Sequence, residues 1–198
     1  MADIKPHPEP PKDISTARLP ITKLKCAWYR IHRLKHGPLY FGTNCCFRFD
    51  APGGEFGVCY VGKSRDAAFI ETFGQTTGNR FVQVSELKIR GLTKIDTLQP
   101  LQLVNLTGAG LPHIGADERL CSGSHLISRR WSAALYSNRH KPDGLLYRAR
   151  HDPSQLCAAL FDRAGAKLRA HTTIVMADGA FEPSLLDLLD RYNFGLAA

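Results

Sequence analysis

Residues 48–74 read RFDAPGGEFGVCYVGKSRDAAFIETFG, and the fold is decided here. Arg48 and Phe49 precede a Gly/Pro turn at Pro52, Gly53 and Gly54. Phe56 to Val61 is an apolar, β-rich run that carries Tyr60. Ser64 has the chemistry of a helix N-cap, because its hydroxyl can accept from a free first-turn N–H. Ala67 to Phe73 then predicts a short buried helix, and Gly74 its stop. Glu71 is out of character among Ala67, Ala68, Phe69, Ile70 and Phe73. An unpaired buried carboxylate is costly, so a charge in that company is paired, functional, or on a surface face of the helix. The Gly53-Gly54 pair reads equally as a plain turn or as backbone that lets a ligand approach.

Outward from this unit the pattern is mostly strands. Lys25 to Leu34 alternates, with Trp28, Arg30 and His32 on one side and Tyr29, Ile31 and Arg33 on the other. Arg80 to Ile89 predicts a further strand closed by Gly91. Thr93 to Thr107 is mixed, with short apolar pieces. Asp117 to Tyr136 is helical in its second half, where Trp131, Ala134 and Leu135 share a face. Leu145 to Arg150 predicts a strand, Leu156 to Phe161 a buried strand or short helix, and Ala170 to Met176 a β run. Glu182 to Tyr192 is an amphipathic helix with Leu185, Leu186, Leu188 and Leu189 on one side. Residues 1–20 hold five of the twelve prolines and predict an extended arm, either a plain tail or a partner-binding segment. The remainder, 21–198, reads as a single α+β domain around a mixed or mostly antiparallel sheet with short helices.

A chain of 198 residues can bury a core without staples. Its formal net charge of +8 favours anionic partners, although solubility alone also explains it. No stretch approaches the ~18 apolar residues of a membrane span, and the start is polar. The six cysteines form no CxxC, which predicts a reduced, cytoplasmic protein without structural disulfides. His32 and His36 have helical spacing, but Arg33 replaces the glutamate of HExxH and Gly37-Pro38 breaks any helix there. A metal site is therefore not expected. Basic residues are scattered, with no recognition-helix motif, which counts against direct nucleic-acid binding.

Taken together, Tyr29-Arg30-Ile31, Arg48 to Asp50, Tyr60 followed eleven residues on by Glu71, Leu106 to Leu120, and DGLLYRAR (Asp143 to Arg150) with the following CAALF resemble the RES-domain toxins. Those toxins are named for an Arg, a Glu and a Ser. The resemblance covers roughly residues 27 to 165 and implies an ADP-ribosyltransferase-like fold. It also implies a toxin-type enzyme that consumes NAD+ by cleaving the nicotinamide–ribose bond, as glycohydrolase or phosphorylase. NAD+ would be the substrate, with no separate cofactor. An antitoxin would be the protein partner and the only route to nucleic acid, and a homo-oligomer is left open. The alternatives are a mono-ADP-ribosyltransferase acting on a protein and a RES protein that binds nucleotide without turnover.

On that resemblance Glu71 and Tyr60 are the catalytic candidates, and Arg30, Arg48, Tyr147 and Arg150 the NAD+-binding ones. A guanidinium suits the pyrophosphate because it meets phosphate bidentately. Tyr60 would pack on the nicotinamide or ribose. The family's serine is expected in a Tyr-Arg-Ser-Arg run, where this chain has Ala149. Ser154 is the candidate substitute.

Overall fold

The computed structural model describes residues 7–198. The expectation of an extended arm at residues 1–6 lies outside the described residues. In chain order the strands are β1 (Ile21–Leu24), β2 (Ala27–Arg33), β3 (Val58–Gly62), β4 (Phe81–Gln83), β5 (Arg90–Thr97), β6 (Leu101–Asn105), β7 (Gly144–Ala149), β8 (Asp152–Phe161), β9 (Leu168–Ala170), β10 (Ile174–Val175) and β11 (Gly195–Ala197). The helices are α1 (Arg65–Phe73), α2 (Val84–Lys88), α3 (Gly110–His113), α4 (Arg119–Ser122), α5 (His125–Tyr136) and α6 (Glu182–Arg191).

Nine strands form one mixed sheet in the order β1-β6-β7-β8-β3-β2-β5-β10, with β9 also on β5. The α+β expectation is met. The β6–β7 pair is parallel and the other pairs of this sheet are antiparallel. A core lies on each face, and strict alternation assigns side chains to them. Along β3, Val58 and Tyr60 pack on one side, while Cys59 and Val61 pack on the other. Along β8, Cys157, Ala159 and Phe161 join the first side, and Ala158 and Leu160 the second. Helices α1, α5 and α6 cover the first face through residues such as Phe69, Trp131 and Leu188.

The arm is not a plain tail after residue 6. His7 is buried and its ring meets Trp131 edge-on at 5.6 Å. Trp131 Nε1 donates to the Pro8 carbonyl at 2.9 Å, and Asn138 Nδ2 donates to the Ala17 carbonyl at 3.1 Å. Ile14 and Leu19 enter the core. This segment docks on α5 because it carries apolar anchors between its prolines, and its carbonyls meet side-chain donors.

Several other expectations are corrected. Arg80 to Ile89 is strand only over β4, then turns into α2, where Leu87 alone is buried. The region read as mixed holds most of β5 and all of β6, each flanked by strands on both sides. Lys94 and the half-buried Asp96 interrupt the apolar run of β5 and hid it. The run from Ala170 to Met176 divides between β9 and β10. On α6, Leu185, Leu188 and Leu189 are buried, but Leu186 is 52% exposed, since it lies one step off that stripe.

Candidate active site

Helix α1 forms as the sequence predicts. Ser64 Oγ accepts from the Ala67 N–H at 2.9 Å and donates to Gln155 Oε1 at 2.7 Å. Gly62 makes the strand-to-helix approach feasible: a Cβ there would stand 2.6 Å from the Ala68 nitrogen and 2.7 Å from Ala67 Cβ. Gly74 ends the helix with an ordinary φ of −79°, so it is required for space rather than for a left-handed turn. A Cβ at Gly74 would lie 2.6 Å from the Ile70 carbonyl oxygen.

Glu71, on the last full turn of α1, is half-buried and lines a cavity of about 610 Å³. That size is ordinary for a small-molecule site. Strands β2 and β3 share a single register pair, Tyr29 with Gly62, and both line the cavity. The cleft thus opens where two neighbours in the sheet part.

Strand β7 lies on the far side of β3 from β2, with β8 between β3 and β7, and sends Tyr147 toward the same face. The Tyr147 hydroxyl donates to Glu71 Oε2 at 3.1 Å, and the Arg150 backbone N–H also bonds this carboxylate. Burial pushes the Glu71 carboxyl above the usual range, while Tyr147, the Arg150 N–H and the Arg48 charge oppose that rise. Tyr147 itself is pushed well above the usual phenol value, first by burial and then by Glu71. It stays a neutral donor to Glu71.

The loop before β3 supplies the second half of the site. Asp50 is its hub and is 2% exposed. Its Oδ2 accepts from the Cys46 and Phe47 N–H groups at 2.9 and 2.8 Å, and its Oδ1 accepts from the Tyr60 hydroxyl at 2.9 Å. The Tyr60 oxygen in turn accepts from the Phe49 N–H at 2.8 Å. Both capacities of this hydroxyl are spent on the protein, and burial beside Asp50 raises its pKa well above the usual value. Tyr60 therefore presents its ring to the cavity and anchors the loop. That geometry does not make it a proton donor to a ligand. Helix α5 holds the same loop from outside, with Ser132 Oγ on the Phe49 carbonyl at 2.6 Å and Arg129 Nε on the Phe47 carbonyl at 2.9 Å.

The three arginines differ in how much of each guanidinium is free. Arg30 Nη1 donates to the Pro38 and Tyr40 carbonyls at 2.8 and 2.9 Å and lies 3.0 Å from Cys59 Sγ. It fixes a wall of the cavity, and among the described residues its Nε and Nη2 have no acceptor. Arg48 Nη1 donates to the Gly123 carbonyl at 2.7 Å and stands 3.4 Å from Ser128 Oγ. Burial, then Arg150, lowers the Arg48 pKa from its very high ordinary value. The Arg150 side chain is exposed at the rim with no hydrogen-bond partner among the described residues. His125 and His151 also line the cavity, and burial followed by neighbouring arginines lowers both pKa values. The cavity thus joins one carboxylate to several cationic groups. It can stabilise a cationic centre beside Glu71 while its arginines hold an anionic tail.

All six expected residues, Arg30, Arg48, Tyr60, Glu71, Tyr147 and Arg150, line this cavity. The expected serine position does not contribute. Ala149 is 1% exposed in the core, and the exposed Ser154 spends its hydroxyl on Asp152 Oδ1 at 2.6 Å. The serine that meets a cavity arginine is Ser128, fully buried on α5. The sequence offers only a partial hint: Ser128 shares a helical stripe with Trp131 and Leu135, where a serine needs a partner, but nothing local names Arg48 as that partner. The Gly53-Gly54 turn does not line the cavity and serves as a turn. His32 is buried with its Nε2 3.0 Å from Thr93 Oγ1, and His36 stacks on Tyr40 at 4.4 Å.

Fold and cleft together define an α+β domain with a split mixed sheet and a carboxylate–arginine cavity. The RES domain family model matches residues 27–182, and the chain belongs to that family. A Sinorhizobium fredii (strain NBRC 101917 / NGR234) protein named "Probable toxin y4kH" is 28% identical over 113 residues, 57% of this chain and 87% of that protein. The fold is similar to a chain of the M. tuberculosis MbcT-MbcA toxin-antitoxin complex, with a TM-score of 0.63. That likeness covers 86% of this chain and 92% of the other at 16% identity. No helix of the described residues is long and apolar enough to cross a membrane.

Proposed function

We propose that this protein is a toxin-type enzyme that degrades NAD+ by cleaving the nicotinamide–ribose bond, and that an antitoxin neutralises it. The observation that carries the reading is Glu71: a half-buried carboxylate, held by Tyr147 and the Arg150 N–H, in a cavity whose other charged side chains are mainly cationic. Nicotinamide departs from NAD+ as a neutral molecule, so the step needs no general acid, unlike an ordinary glycoside. What develops is positive charge on the ribose. Glu71 accepts a hydrogen bond from a ribose hydroxyl and stabilises that charge. A preorganised group of this kind is worth about 3–4 kcal/mol in the transition state.

Arg48 and Arg150 bind the pyrophosphate, and the free edge of Arg30 adds to them. Ser128 fixes the Arg48 fork through its contact at 3.4 Å and is the serine we assign to the family's Arg, Glu and Ser. The Tyr60 ring packs on the reacting ribose or nicotinamide. The antitoxin assignment draws its support from the family and from the toxin-antitoxin complex whose fold is similar.

The test is incubation of purified protein with NAD+, with and without phosphate, and chromatography of the products. Free nicotinamide with ADP-ribose identifies a glycohydrolase. A phosphorylated ADP-ribose formed only with phosphate identifies a phosphorylase. Intact NAD+ under both conditions would sink the proposal.

A further inference from the structure

Cys45 and Cys46 stand in the loop whose backbone supports Tyr60, and they differ from the protein's other cysteines. Cys59, Cys121 and Cys157 are buried. Cys26 is half-buried beside Thr97, to whose Oγ1 its backbone N–H donates at 2.8 Å. Cys46 is exposed and lines the cavity, while Cys45 is half-buried beside it. Neither thiol is locked away: Cys45 Sγ donates to the Thr43 carbonyl at 3.5 Å and Cys46 Sγ to the Asn44 carbonyl at 3.2 Å, both weak local contacts. Cys45 has a φ of +54°, a left-handed conformation that is uncommon for a residue with a Cβ.

The peptide joining these residues is the one on which the site hangs. The Cys46 N–H and the next N–H, of Phe47, are the two donors to Asp50 Oδ2. The other oxygen of Asp50 holds Tyr60. The His125 ring bonds the Cys46 backbone, and Arg129 bonds the Phe47 carbonyl. A change in the Cys45–Cys46 peptide therefore reaches Asp50 directly.

We propose that Cys45 and Cys46 form a dithiol exchange site at the mouth of the cavity, and that its oxidation by a low-molecular-weight disulfide releases Asp50 and weakens ligand binding. The Cys46 thiolate attacks one sulfur of that disulfide, forming a mixed disulfide and expelling one thiolate, which takes up a proton. The Cys45 thiolate then attacks Cys46 Sγ, and the second small thiol departs. Two protein thiols are oxidised to one disulfide, and the small disulfide is reduced to two thiols. The exposed Cys46 is the first nucleophile and its neighbour resolves the adduct, since no long-range movement is needed to bring them together. The small ring so formed constrains the intervening peptide and withdraws the Cys46 N–H from Asp50. The thiol chemistry is independent of what the cavity holds; only the effect on ligand rests on the function proposed above.

The experiment is to treat the reduced protein with oxidised glutathione. Peptide mass, amide hydrogen exchange at Cys46 and Phe47, and ADP-ribose affinity by calorimetry are then followed. The expected result is loss of two hydrogen masses confined to Cys45 and Cys46, faster exchange at both amides, and about tenfold weaker ADP-ribose binding, the size of one lost hydrogen bond to a charged group. Dithiothreitol restores all three. Cys45→Ser leaves the untreated protein's affinity unchanged and, after treatment, stalls at a glutathione adduct on Cys46. Modification confined to other cysteines, or an oxidised pair with unchanged amide exchange, overturns the proposal. If the reduced protein binds no ADP-ribose, the proposed function fails, while the mass and exchange results still decide the thiol chemistry.

Discussion

The Tyr147 hydroxyl reaches Glu71 Oε2 at 3.1 Å across 76 positions of sequence. The tyrosine comes from a strand deep in the sheet and the glutamate from a short helix laid against it. The pair fixes the orientation of a carboxylate that burial would otherwise favour in its protonated form. The proposed activity and the stability should therefore respond to the charge on Glu71 in opposite directions.

Glu71→Gln keeps the shape and an oxygen able to accept from Tyr147 and the Arg150 N–H. It removes the charge that, in the proposed reaction, stabilises the ribosyl cation. NAD+ cleavage should fall about 10²–10³-fold, the usual cost of one preorganised electrostatic group, with an unchanged circular dichroism spectrum. Cleavage at the wild-type rate would remove Glu71 from the mechanism.

The folded pKa of Glu71 lies above its unfolded value. Its contribution to stability is therefore full below the unfolded pKa and is lost as pH rises through the folded one. Glu71→Gln removes that loss, so the variant should melt higher than wild type at neutral pH, with the gap closing on acidification. The proposed activity runs the opposite way, since its mechanism calls for the carboxylate: the acid limb of kcat should lie above the ordinary glutamate range. An acid limb at or below that range, or a variant that melts lower at neutral pH, would contradict the raised pKa.

Arg48→Ala removes the fork that Ser128 and the Gly123 carbonyl orient. ADP-ribose affinity should drop by about 1.5–3 kcal/mol, the range for hydrogen bonds to charged groups. Ser128→Ala should produce a smaller loss of the same kind. Calorimetry that finds both variants binding like wild type would take the pyrophosphate away from Arg48.

Asp50→Asn cannot serve Tyr60 and two N–H groups at once, because one of its two acceptors becomes a donor. The cost should be about 1–3 kcal/mol in urea unfolding, together with weaker ligand binding. A variant as stable as wild type would mean that the loop does not depend on this hub.

Ile14→Ala tests whether the N-terminal segment belongs to the folded unit. Ile14 is 5% exposed within the main core, so truncation should cost about 2–5 kcal/mol. A loss below about 0.5 kcal/mol, the size of a surface change, would return the segment to the status of a tail.

Much of the cleft is legible in the sequence. A carboxylate inside AAFIETF on a capped helix stands out because burying it is costly, and that reasoning finds Glu71. The arginines follow from the family's pattern. Ser128 escapes a sequence reading because the resemblance directs the serine to the late Tyr-Arg-Ala-Arg run, and nothing local says that α5 passes beside Arg48. Strand β5 escapes it because its charges break the apolar run and threonines take two of the buried positions, and its neighbours on both sides, which satisfy its backbone, come from distant parts of the chain.

Local chemistry in the sequence therefore determined the capped helix of Ser64 to Gly74, the alternation of β2, the strand runs of β3 and β7, and the class of the fold. Those features depend on residues a few positions apart, whose propensities and spacing are written along the chain. Tertiary structure alone decided that β2 and β3 part after one shared pair, that Tyr60 spends its hydroxyl on Asp50 rather than on a ligand, and that the Pro-rich segment docks on Trp131. Each of these is a contact between groups remote in sequence or a competition for one hydrogen bond, and such choices are settled only when the sheet, the helices and the loops are packed together.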